Sequence, residues 1–159
     1  MLDLNTMGAA ARRAARKLAL SSDASRTRAL AALADGLERE QAAILAANAQ
    51  DVAEAGAAGL TGALIDRLTL TPARLRGIAA DVRVVAALPD PLGQRFDERT
   101  LPNGLRVRRQ RVPLGVLGVI YESRPNVTID VAALAIRTGN AAILRGGSET
   151  LASNRALLA

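Results

Sequence analysis

The 159-residue chain contains no cysteine, no histidine and no tryptophan, and its aromatic side chains are one tyrosine and one phenylalanine. Without cysteine there is no disulfide, no thiolate metal ligand and no thiol nucleophile among these residues. Without histidine, the usual general base near neutral pH and the commonest metal ligand are both missing. The scarcity of aromatics argues against the stacking platforms on which single-stranded nucleic acids are read. No apolar run approaches the ~20 residues that a membrane-spanning helix requires. What remains for chemistry is backbone N–H groups, amides, hydroxyls, carboxylates and arginines.

Half of the residues are apolar and the formal charge is +6. That is enough chain for one domain with a core and too little for two large ones. Lys17 is the single lysine among 21 basic residues. An arginine excess of this kind raises nucleic acid as a partner. The arginines, however, are spread over many segments, and no compact recognition helix rich in Arg, Asn and Gln is present. The charge reads as a solvated surface, and no nucleic-acid partner, membrane span or metal site is expected. The N-terminus is basic (Arg12, Arg13, Arg16, Lys17), but Asp3 and a helical apolar repeat make it a first helix rather than a transit peptide. With no signal peptide, a cytoplasmic protein is expected.

Residues 1–88 read as helical. Leu4, Met7, Ala11, Ala14, Ala15 and Leu18 recur at helical spacing, and Ser21-Ser22-Asp23 supplies a break and N-caps. Leu30, Leu33, Leu37 and Ile44 continue an apolar stripe, with Asp35, Glu38 and Arg39 on the wet side. Ala42 to Ala58 is alanine-rich, and the glycines between 56 and 62 mark a turn. Thr71-Pro72 opens another helix with Leu75, Ile78, Ala79, Val82 and Val85 on one face. Residues 89–112 form a linker and hairpin. The boundary is Leu88-Pro89-Asp90-Pro91-Leu92-Gly93, and Asn103-Gly104 turns one strand, Phe96 to Leu101, into the next, Leu105 to Val112. Four arginines (Arg106, Arg108, Arg109, Arg111) mark the second as an edge or covering strand, with phosphate binding as the lesser alternative.

Residues 113–159 read as the first βαβ unit of a parallel sheet. An apolar strand (Val112 to Tyr121) meets the turn Glu122-Ser123-Arg124-Pro125-Asn126. A helix from Val127 to about Thr138 breaks at Gly139-Asn140, and a second strand (Ala141 to Leu144) ends in Arg145-Gly146-Gly147-Ser148-Glu149. Both turns lie at the carboxyl ends of strands, where open α/β sheets bind ligands. On spacing alone Asn126 reads as a helix cap ahead of a donor to an oxyanion. The glycine pair lets a backbone approach a ligand, and arginine beside serine suits a phosphate monoester, favouring NADP over NAD. An ordinary turn with Ser148 as N-cap and Glu149 on the helix dipole accounts for the same residues equally well. Leu114-Gly115-Val116-Leu117-Gly118 lacks the GxGxxG fingerprint.

The stretch from Val112 to Glu149, VPLGVLGVIYESRPNVTIDVAALAIRTGNAAILRGGSE, resembles the cofactor-side signature of the γ-glutamyl phosphate reductases (glutamate-5-semialdehyde dehydrogenases) of the aldehyde dehydrogenase superfamily. Asn48-Ala49-Gln50-Asp51, Ile65-Asp66-Arg67-Leu68, Leu88-Pro89-Asp90-Pro91 and Pro102-Asn103-Gly104-Leu105 resemble the same family in the same order. The resemblance implies an α/β fold: N-terminal helices, a β-hairpin and the start of a Rossmann-like, aldehyde dehydrogenase-like cofactor domain, truncated, with the catalytic domain absent. It implies NADPH-dependent reduction of L-glutamyl 5-phosphate to L-glutamate 5-semialdehyde in proline biosynthesis, by a homo-oligomer in its full form. Asn126 would be the oxyanion asparagine. Arg124, Pro125, Arg145, Gly146, Gly147, Ser148 and Glu149 would lie on the NADP side, Arg145 replacing a ribose-contacting lysine and Ser148 an NAD-selecting glutamate. The superfamily's nucleophilic cysteine has no counterpart here. The isolated chain is therefore expected to be inactive, and the alternative is a non-catalytic N-terminal fragment, at most a nucleotide-binding or interaction module. Asp66 and Arg67 stand between substrate contacts and a surface ion pair.

Overall fold

Apolar side chains spaced three and four residues apart can all be buried only if the helices bearing them pack face to face. In the computed structural model, which describes residues 3–159, residues 3–88 do this with five helices. These are α1 (Leu4–Ala19), α2 (Asp23–Arg39), α3 (Gln41–Ala57), α4 (Ala63–Leu68) and α5 (Pro72–Ala87). Asp3, Ser22 and Thr71 cap α1, α2 and α5 by accepting backbone N–H groups, and Pro72 takes the first turn of α5. The α2–α3 stripe bends at Glu40, where one helix ends and the next begins. Helix α4 is absent from the sequence-based expectation, because six residues are too few to show a period. Leu30, Leu37, Ile44, Leu75, Ile78 and Val82 form one core with Ile129 and Leu157 from the second half.

The hairpin strands β1 (Arg95–Thr100) and β2 (Arg106–Gln110) pair antiparallel. Among the described residues they pair only with each other, so the strand expected at an edge or as a cover is half of a two-stranded ribbon. Every residue of β1 is exposed, and in β2 only Val107 is partly covered. The register slips between Phe96 and Arg99, where Asp97 takes a positive φ of 56°.

The second half is the expected βαβ unit. Strands β3 (Val116–Ile120) and β4 (Ala141–Arg145) are parallel, in register from Val116↔Ala141 to Ile120↔Arg145, and α6 (Pro125–Arg137) crosses between them. A 3₁₀ turn (Ser148–Thr150) then leads into α7 (Leu151–Leu157). Strand β3 is shorter than its apolar run, starting only after Gly115 at φ 111°. It is also less buried than a central parallel strand: none of its residues is fully covered, and Ile120 is 79% exposed. With β4 as its only partner among the described residues, one edge and much of its surface stay open, as expected of a sheet with two strands.

Buried polar side chains lock the halves together. Asn48 of α3 donates to the Leu68 carbonyl (2.8 Å) and to Ser153 Oγ (3.0 Å), and accepts from the Leu70 N–H (2.6 Å). One turn on, Asp51 accepts from the Ala152 N–H (3.1 Å), the Ser153 N–H (2.7 Å) and Ser153 Oγ (2.6 Å). Asp51 thus caps α7 across a long stretch of chain. Arg137, at the end of α6, reaches Asp23, Thr27 and the Leu88 carbonyl, while Arg26 reaches Asp90 (2.7 Å). These two buried guanidiniums fix the Leu88-Pro89-Asp90-Pro91 boundary against α2. Asp51→Ala would strand three donors in the interior. We expect it to cost about 3 kcal/mol of unfolding free energy, read by urea denaturation at pH 7; a loss under about 0.5 kcal/mol would contradict the clamp.

Candidate functional site

Pro125 sets where α6 begins. Its fixed φ and missing N–H suit the first helical position, which makes Arg124, in extended conformation, the N-cap residue. The reading of Asn126 as a cap is therefore corrected: it lies inside the first turn and makes no capping bond. Its side-chain amide instead donates to Asp130 Oδ2 at 3.3 Å, one turn along the same face. Nδ2 carries two hydrogens, so a second donor remains for another acceptor.

Arg124, Pro125 and Asn126 line one side of a polar cleft of about 490 Å³; α4, the chain after it and α5 line the rest with Asp66, Arg67, Arg74 and Asp81. Asp66 and Arg67 pair with other partners rather than with each other. Asp66 meets Arg74 at 2.8 Å, and Arg74 also donates to the Asp66 and Thr69 carbonyls. Arg67 reaches Glu122 at 3.6 Å, and Arg124 reaches the same carboxylate at 3.0 Å. Both residues thus make ion pairs, with partners other than each other, and both line the cleft. Burial, and then the nearby Asp81 charge, push the Asp130 carboxyl above the usual range, with the Asn126 bond opposing them.

The second turn lies against the first. Tyr121 N–H donates to the Arg145 carbonyl (3.1 Å), and Ser123 Oγ donates to Glu149. The Ser123 hydroxyl is the main cause holding Glu149 below the ordinary carboxylate range. Ser148 starts the 3₁₀ turn and gives no capping bond; Gly147 holds the cap position, so the reading of Ser148 as N-cap is corrected. The glycines are required by the fold itself. A Cβ on Gly146 would lie 2.6 Å from Asn154 Nδ2 and 3.2 Å from the Tyr121 ring, and one on Gly147 would collide with Ser123. Beneath them runs a directed hydrogen-bond chain. Thr128 Oγ1 donates to Asn154 Oδ1 (2.7 Å), so Tyr121 OH donates to Thr128 (2.7 Å). Asn154 in turn donates to Thr150 Oγ1 (3.1 Å), which donates to the Gly147 carbonyl (3.3 Å).

Arg145 is exposed at the end of β4 and has no ion-pair partner among the described residues, and Ser148 is exposed beside it. A phosphate monoester would meet a free guanidinium there, while Ser123 and Ser148 both donate to the adjoining Glu149 carboxylate, so the Ser148 hydroxyl would have to turn from Glu149 to reach the phosphate. The seven NADP-side residues therefore divide. Arg145 to Glu149 form one edge with Ser123, and Arg124 and Pro125 join Asn126 at the cleft. Sequence reasoning missed Arg74, Asp81 and Asp130; only Asp130 carried a signal, being four residues after Asn126 on a predicted helix. Among the described residues no group of three or more acidic, histidine or cysteine side chains is placed to hold a metal, and no helix is long and apolar enough to cross a membrane.

The raised Asp130 pKa makes a stability prediction. The folded state disfavours ionised Asp130, so the penalty is full above the folded pKa and fades as pH falls and the group is protonated in both states. Asp130→Asn should raise Tm at pH 7, and the gain should shrink as the solution is acidified. Equal or lower Tm at pH 7 would contradict the assigned environment.

No family model matches the chain. Curated relatives do. It is 62% identical over 151 residues to a gamma-glutamyl phosphate reductase of Rhizorhabdus wittichii and 63% identical over 151 residues to one of Deinococcus radiodurans, covering 95% of this chain and 35% of each relative. With the Roseiflexus castenholzii protein of the same name it shares 60% over 159 residues, 99% of this chain and 38% of that one. Among solved structures, the Thermotoga maritima gamma-glutamyl phosphate reductase superposes with TM-score 0.89 at 38% identity, over 93% of this chain and 36% of that one. The Saccharomyces cerevisiae reductase superposes with TM-score 0.87 at 38% identity, over 92% and 38%. The chain thus spans little more than a third of the length of these relatives, and in sequence and fold it is similar to the N-terminal part of gamma-glutamyl phosphate reductases.

Proposed function

We propose that these residues supply the oxyanion-stabilising and cofactor-binding elements of an NADPH-dependent reductase. It converts L-glutamyl 5-phosphate to L-glutamate 5-semialdehyde and phosphate, the second step of proline biosynthesis. The observation that carries this reading is Asn126. It stands in the first turn of α6 with one side-chain N–H held by Asp130 and the other uncommitted, beside a polar cleft, in a chain whose relatives bear the name of that activity.

When an acyl phosphate is reduced, charge builds on the acyl oxygen as a nucleophile adds to the carbonyl carbon, and it is released when the phosphate leaves. The Asn126 amide, in the first turn of α6, is a fixed donor for that oxygen, so little reorganisation accompanies the reaction. NADPH, when bound, supplies the hydride. Arg145 and Ser148 would hold its 2′-phosphate at the end of β4, and Ser123 keeps Glu149 from competing for Arg145. The thiolate nucleophile used by the superfamily is not among these residues, which contain no cysteine. It would come from the two thirds of the relatives that have no counterpart here. A cytoplasmic homo-oligomer goes with this reading, and the exposed β1–β2 ribbon is the surface that favours assembly. The absence of both cysteine and histidine favours a second reading, a non-catalytic nucleotide-binding or interaction module.

In a full-length reductase carrying this segment, Asn126→Ala should lower kcat by roughly 10²–10³-fold while NADPH affinity changes little. Steady-state kinetics showing unchanged kcat would remove Asn126 from the chemistry. Arg145→Ala should weaken NADPH more than NADH in a direct titration; equal weakening would mean that Arg145 does not read the 2′-phosphate.

A further inference from the structure

The cleft beside Asn126 carries both signs of charge, and its positive side chains are already matched. Arg74 pairs with Asp66, while Arg67 and Arg124 share Glu122. Of its two carboxylates, Asp66 is matched by Arg74 and Asp81 is not. Of the chain's 15 carboxylates, Asp81 alone makes no hydrogen bond or ion pair among the described residues. Asp130, which faces Asp81 from the neighbouring helix, has only the Asn126 amide. Two carboxylates held near each other without a cation repel, and one of them is half-buried. A fold keeps such a pair at a cost in stability, which points to a cation that arrives with a ligand.

Resting on the reading of the cleft as the place where an acyl phosphate is reduced, we propose that Asp81 and Asp130 bind the α-ammonium group of the amino-acid substrate and so select an amino acid over other acyl chains. The reach is right. In a glutamyl group four single bonds separate the reacting carbonyl carbon from the α-nitrogen, roughly 5 Å when extended at ~1.5 Å per bond. Asp130 lies one turn beyond Asn126 along α6, its Oδ2 3.3 Å from the Asn126 amide nitrogen. With the carbonyl oxygen on the free Asn126 N–H, an ammonium ~5 Å from the carbonyl carbon stays within reach of the Asp130 carboxylate, and Asp81 lines the same cleft from α5. An ammonium has three N–H donors, enough for both carboxylates. Such charge-assisted bonds are stronger than neutral ones. Because the ammonium is four bonds from the reacting carbon, these contacts act on binding and placement rather than on the reaction itself.

The test uses a full-length reductase carrying this segment, run in the oxidative direction with NADP and phosphate. Two aldehydes are compared: L-glutamate 5-semialdehyde and 5-oxopentanoate, the same carbon chain without the amino group. The quantity read is the ratio of their kcat/KM values. Asp81→Asn and Asp130→Asn should each lower that ratio by about tenfold, the loss expected when a charged partner becomes a neutral one. Because Asp130 also holds Asn126, its variant can slow both aldehydes; the ratio cancels that effect. Asp81 is exposed and bonded to nothing among the described residues, so its variant tests the pair without disturbing Asn126. A ratio unchanged in Asp81→Asn overturns the inference while leaving the proposed function standing. No turnover of either aldehyde by the unsubstituted reductase would overturn the proposed function, and the inference with it.

Discussion

Asp51 is a buried carboxylate whose two oxygens take the Ala152 and Ser153 N–H groups and the Ser153 hydroxyl. Asn48, one turn earlier, takes Leu68 and Leu70. A single helical face of α3 thereby holds two distant places: the segment after α4 that walls the cleft, and the helix that follows the glycine turn. Each of these groups would cost heavily if left unpaired inside the protein, so the network holds as a unit or fails as one. The Asn48-Ala49-Gln50-Asp51 stretch is the centre of this clamp, and Ile65-Asp66-Arg67-Leu68 supplies one of its ends through the Leu68 carbonyl. On it depends the relative placement of the Arg145 edge and the Asn126 cleft.

A second consequence concerns the glycines. A glycine pair at the end of a parallel strand invites the thought of a ligand approaching the backbone. Here Tyr121, Ser123 and Asn154 fill the space that side chains at Gly146 and Gly147 would need. The two crossover turns close on each other, and the hydrogen-bond chain from Tyr121 to the Gly147 carbonyl fixes that closure. What the edge still offers outward is Arg145 and Ser148. The buried arginines have a similar tertiary purpose: Arg26 and Arg137 fasten the proline-rich boundary, whereas the exposed ion pairs of Arg83 with Asp35 and Glu38 contribute little.

The helices were legible because apolar spacing and caps agree: Ser22 and Thr71 act at the positions their residue types announce. The βαβ unit was legible because two short apolar runs flank a helical one. The cap of α6 was misread although its signal was present, since Pro125 at the first helical position assigns the cap to Arg124. The isolation of the hairpin was not legible, because four arginines in a strand do not say what the strand pairs with. Nor was the Asp81–Asp130 juxtaposition, which arises only when α5 packs on α6. Local pattern gives the elements; which side chains meet between them is decided by packing.

The most direct test of the account joins this chain to the remaining two thirds of the Deinococcus radiodurans reductase and measures NADP-dependent oxidation of L-glutamate 5-semialdehyde in the presence of phosphate. If the chain supplies the oxyanion and cofactor elements, the hybrid turns over within about tenfold of the parent, a difference of ~1.4 kcal/mol in barrier. A hybrid that folds with the parent's Tm and yet shows no turnover would contradict it.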